Sequence, residues 1–187
     1  MSTRTCSSAI LAAAAVLIAV PAQAQSATDS RQFSVSGNVP SMCVAGTVTG
    51  GNATFDLGVL VDTSTGLLRN NLAVPSKTIT GSYCSARSTI SVVATPIEAQ
   101  AFTTTPPAGF SRTVNYTATA SGWTSTAASF TTGAASNAAA SQVRDTPFSG
   151  DIAVALGNFA TGGGNGLRLV ADTAYSGNVT VTLAVAS

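Results

Sequence analysis

Three cysteines, seven acids and no histidine bound the chemistry this chain can carry. Histidine is the commonest general base, so the Ser-His and Cys-His nucleophile pairs are missing. The acids Asp29, Asp56, Asp62, Glu98, Asp145, Asp151 and Asp172 are scattered through turns and strand ends. Asp56 and Glu98 would have to converge in space to make a glycosidase-like pair, and nothing in their spacing favours it. Asp62-Thr-Ser-Thr-Gly66 has a weak likeness to a calcium loop but lacks the further acids and the closing glutamate, so it reads as a turn. The glycine run 162–166 is followed by no helical pattern and fails as a phosphate loop. Trp123 reads as a core residue or loop anchor rather than a sugar platform. The expectation is a non-enzymatic chain with no catalytic residue, no cofactor and no metal site.

The cysteines do have a chemistry. No Cys-X-X-Cys motif is present, and without histidine a zinc site is poorly supplied. Cys6 precedes an apolar run and is expected to be discarded with it. Cys43 and Cys84 then allow one connectivity, and in an oxidising compartment they should pair. Closing that loop would stabilise the fold by about 4 kcal/mol in the chain-entropy view.

The N-terminus points to that compartment. Arg4, the apolar run Ile10 to Val20 and the small-residue site Ala22-Gln-Ala24 form a secretory signal, residues 1–24. The run is too short to cross a bilayer, which needs about 20 residues. The expected mature chain, 25–187, is one domain. Losing Arg4 leaves seven basic residues against seven acidic ones, with Lys77 the only lysine. A neutral surface this poor in charge argues against nucleic acid and against electrostatic binding to membranes. No direct membrane insertion of the mature chain is expected.

Strands must position whatever these residues do. After a polar leader comes Phe33-Ser-Val35-Ser-Gly37-Asn-Val39, alternating with period two as a strand with one buried face does. Pro40 then breaks the ladder. Residues 44–49, 53–60, 77–84, 88–95, 112–119 and 151–156 give further strand patterns, with turns at 50–52, 62–66 and 162–166. Residues 120–142 read as a hairpin or long loop, with a short helix near 138–140. The cleanest alternation closes the chain, with Val179, Val181, Leu183 and Val185 on one face. Short strands with turns between them and no helical period give an all-β fold, and an immunoglobulin-like β-sandwich with one disulfide is the first choice.

The alternation ahead of Cys43, then Phe55-Asp-Leu57-Gly58, then Cys84 opening into Ser85-Ala-Arg87-Ser-Thr-Ile90-Ser-Val92, resembles the spore coat protein U-like family. That family includes subunits of archaic chaperone–usher pili. The ending Tyr175-Ser-Gly177-Asn-Val179-Thr-Val181-Thr-Leu183 is similar to its closing strand. The resemblance implies an incomplete sandwich, one strand short, filled by the N-terminal strand of the next subunit. Carried over, Phe33, Val35, Gly37 and Val39 match the donor strand, and Cys43 and Cys84 match the family disulfide. Val179, Val181, Leu183 and Val185 match the C-terminal edge strand that accepts a donor or a chaperone. Gly37 departs from the pattern because it fills no pocket, and the polar leader at 25–32 supplies few apolar anchors.

The implied function is a structural subunit of a surface pilus or coat, with copies of itself or homologous subunits, a periplasmic chaperone and an outer-membrane usher as partners. It would pass through the periplasm to the cell surface. The alternative is a self-complete secreted or periplasmic sandwich that binds a ligand or matrix, with 33–39 as its own first strand.

Overall fold

Alternation along the central strand sets the architecture. From Ser88 to Ala94 every second residue is buried, placing Ile90, Val92 and Ala94 in the core and Thr89, Ser91 and Val93 on the other face. A strand of β-branched residues with this period packs one face and solvates the other. The computed structural model describes residues 28–49 and 52–186. The expected signal segment, with Ala22 and Ala24, lies outside the described residues.

Residues up to Asn38 and residues from Val39 onward form two units. In the first, residues 28–38 carry no strand and no helix, and every one of them is exposed. Arg31 pairs there with Asp29. The strand expected over 33–39 is therefore not formed within the chain. Alternation dictates a strand only where a ladder partner stands beside it.

The second unit is a β-rich domain. Its strands are β1 (Cys43–Val44), β2 (Thr47–Thr49), β3 (Lys77–Cys84), β4 (Ser88–Ala94), β5 (Ile97–Ala99), β6 (Phe110–Ser111) and β7 (Thr113–Ser121). They continue with β8 (Ala128–Thr131), β9 (Ser141–Arg144), β10 (Phe148–Thr161), β11 (Arg168–Leu169), β12 (Tyr175–Ser176) and β13 (Val179–Val185). The larger sheet runs β1-β3-β10-β7-β5-β12, with β2 also on β3 and β8 also on β7. β6 and β11 form a separate parallel pair, and the smaller of the two main sheets is β13-β4-β9. Between them lies a core of Ile90 and Val92 from β4, Val114 and Tyr116 from β7, and Ile152 and Val154 from β10. The all-β expectation holds, and an immunoglobulin-like sandwich fits the arrangement.

Cys43 and Cys84 are joined, with their sulfurs 2.04 Å apart. Trp123 is fully buried, its indole N–H donating to Ser88 Oγ at 3.2 Å and its ring meeting Phe148 edge-on. The expected short helix is a single 3-10 turn at Ala138–Ala140. The expected strand at 44–49 is broken in two at Gly46. Its φ of +83° suits glycine, and a Cβ there would sit 2.2 Å from Thr80 O.

Candidate assembly edge

β13 is the last strand and an edge. It pairs with β4 along its whole length, from Val179 opposite Ala94 to Val185 opposite Ser88, without a register shift. Its other side has no ladder partner among the described residues. Natural edges are usually kept short, bulged, charged or interrupted by proline. Val-Thr-Val-Thr-Leu-Ala-Val carries none of these protections. The opposite edge of the same sheet, β9, is shorter and ends in Arg144.

Two backbone bonds fix the way β13 faces. Thr95 N–H donates to Asn178 O at 2.9 Å, and Ala186 N–H donates to Arg87 O at 3.0 Å. Bonding direction alternates residue by residue along an antiparallel strand. Even-numbered residues therefore bond toward β4. The N–H and C=O groups of Val179, Val181, Leu183 and Val185 point to the open side. The side chains of Val179, Val181 and Leu183 are half-buried and pack against the core. Val185 shares their parity but lies exposed at the rim.

The start of β13 borders a cleft of about 1080 Å³. Phe55, Leu57, Tyr116, Leu156, Tyr175 and Val179 are among the residues that line it. Of the alternating residues noted at 53, 55 and 57, Phe55 and Leu57 lie against the core, as does the out-of-phase Leu60, while Ala53 is exposed. Yet 53–60 forms no strand. Gly58 N–H bonds Asp56 Oδ1 at 2.9 Å and Thr54 N–H bonds Asn52 Oδ1 at 3.4 Å, while the far end is held by Arg69 N–H on Leu60 O at 2.9 Å.

Asp172 also lines the cleft. Its carboxylate accepts the N–H groups of Ala101 at 2.8 Å, Phe102 at 2.9 Å and Ala174 at 2.9 Å. Those bonds, Ala174 first and Phe102 next, hold its carboxyl below the ordinary range. Asp62 is likewise lowered, chiefly by the Ser64 hydroxyl and N–H, and it closes the 62–66 turn with Gly66 N–H on Asp62 O at 2.7 Å. Of the two acids weighed as a pair, Asp56 caps its own turn and Glu98 lies 3.7 Å from Arg112. The glycine run at 162–166 is a turn closed by Gly164 N–H on Thr161 O at 3.1 Å.

No protein-family model, curated protein or solved structure matches the chain.

The remaining expected site residues lie on the exposed N-terminal stretch. Phe33 is 84% exposed, Val35 97% and Val39 82%. Nothing would lie within 4 Å of a Cβ at Gly37. Among the described residues no helix is long and apolar enough to cross a membrane, and no acid and cysteine cluster suits a metal ion. The disulfide fits folding in an oxidising compartment.

Proposed function

We propose that the protein is a structural subunit that assembles head to tail by strand donation. Residues 33–39 of one copy add to the open edge of β13 in the next. Backbone hydrogen bonds to Val179, Val181, Leu183 and Val185 supply affinity, and Phe33, Val35 and Val39 supply alternate side chains for the groove. The observation that carries the reading is a mutual deficit. Three large apolar side chains stand in solvent on a segment with no strand, and the uncharged outer edge of β13 has no ladder partner among the described residues. Such a contact joins two different surfaces, so it propagates into a filament instead of closing as a dimer.

The proposal extends to the route. An unassembled subunit carries an edge that invites aggregation. A periplasmic chaperone would cover that edge and an outer-membrane usher would exchange the cover for the next subunit. The destination is then a pilus or coat at the cell surface.

The experiment is a non-reducing gel, run without boiling, of material sheared from the producing cells and probed for this protein. The expected result is a ladder at multiples of the subunit mass that collapses on boiling. A single monomer band in every cell fraction would overturn the proposal.

A further inference from the structure

Residues 40–44 enter the domain along the end of β3 and the turn after it. Met42 N–H donates to Ser85 Oγ at 2.9 Å, and Ser85 N–H donates to Met42 O at 2.9 Å. The Ser85 hydroxyl also reaches Pro40 O at 3.3 Å. Next comes the disulfide, whose residues face each other in the β1–β3 register, followed by Val44 opposite Tyr83. Beyond it β2 lies on β3, with Thr47 opposite Thr80 and Thr49 opposite Thr78. Moving inward from Val39, the order is a serine clamp, a covalent bond and then a short hydrogen-bonded ladder.

We infer that the Cys43–Cys84 bond, steadied by Ser85, is a tension lock. It passes a pull on the N-terminal segment directly into β3 and keeps β1 and β2 from peeling away. The inference rests on the assembly reading, which makes 33–39 the link that a stretched filament loads. A pull on Val39 reaches the β1–β3 ladder at its first rung. Peeling loads one rung at a time, and a single hydrogen bond is weak against such a load. A covalent bond at that rung cannot be peeled. Without it, only hydrogen bonds and the packing of Phe55, Leu57 and Leu60 oppose unzipping toward Lys77, a release of about 34 residues, or on the order of 115 Å when extended.

The single lysine makes the test direct. The full mature chain is stretched between a tag ahead of Gln25 and an amine-coupled handle on Lys77, before and after reduction by a phosphine. The reduced chain is expected to lengthen at low force by the contour of those residues less the length of β3, roughly 90 Å, and the oxidised chain to show no such step. A reduced chain that opens only in one high-force event overturns the lock.

Should reduction unfold the domain outright, Ser85→Ala with the disulfide intact decides by hydrogen exchange. The Met42 amide should exchange several-fold faster, while Val48, beyond the bond, keeps its rate. Acceleration that spreads past Cys43 to Val48 overturns the lock. A subunit with the low-force step but no gel ladder upholds the lock and sinks only the assembly reading.

Discussion

The hydroxyl of Tyr116 donates to the carbonyl oxygen of Asn178 at 3.2 Å, tying the core of β7 to the residue just before β13. One phenol thereby anchors the smaller sheet's edge strand to the larger sheet, at the cleft that both residues line. Burial raises the Tyr116 pKa, so the donor stays protonated through the neutral range. Tyr116→Phe keeps the ring and deletes the tie. It should cost about 0.5–1.5 kcal/mol in urea unfolding. Hydrogen exchange should quicken at the start of β13.

The parity of β13 predicts an asymmetry between neighbouring positions. The Val181 N–H faces the open side, whereas the Thr182 N–H bonds toward β4. Proline removes the N–H and is tolerated on an edge only where that group is unpaired. Val181→Pro should keep a cooperative thermal transition yet abolish the gel ladder. Thr182→Pro should lower stability by about 3 kcal/mol or more. Equal effects on folding would contradict the assigned facing.

Exposed residues that serve a neighbour can be charged without harm to their own domain. Val35→Asp should leave the subunit's melting temperature unchanged, since surface substitutions fall within about 0.5 kcal/mol. The same change should eliminate multimers, because a carboxylate cannot enter an apolar groove unpaired. A lowered melting temperature would assign Val35 to its own fold instead.

Acid should loosen the cleft lining at Asp172. Its folded pKa lies below the ordinary value of about 3.9, so the folded state binds fewer protons in that window. The contribution to stability is present above the unfolded value and is lost as pH falls through the depressed folded one. Amide exchange at Ala101 and Phe102, corrected for intrinsic rate, should rise over that acid range. In Asp172→Asn the rates should already be raised at neutral pH.

Much of the framework was legible because alternation and burial agree in β4, β7 and β13. The disulfide followed from the two cysteines left once Cys6 is set aside with the expected signal segment, which allow one pairing. β10 was legible only in part: it runs from Phe148 to Thr161, but Gly150, Gly157 and Asn158 interrupt the pattern. Register shifts absorb them, one between Gly150 and Ile152 and one between Gly157 and Ala160. Glycines at bulges look like turns when no partner strand is in view. β9 was hidden in an Ala- and Ser-rich stretch with little contrast between its faces.

The chemistry of the cleft lining was hidden for another reason. Asp172 finds two of its donors, Ala101 and Phe102, about seventy residues away, and no local spacing encodes that. Alternation at Val179 to Val185 gave the face of the strand but not what stands beside it.

The exposure of Phe33, Val35 and Val39 also bears on how this sequence is free to vary. A side chain that touches little of its own domain is nearly invisible to any pressure for stable folding. Substitutions there can drift, or be tuned, without unfolding the molecule that carries them. Whatever demand is made on those three positions comes from surfaces other than their own domain's core.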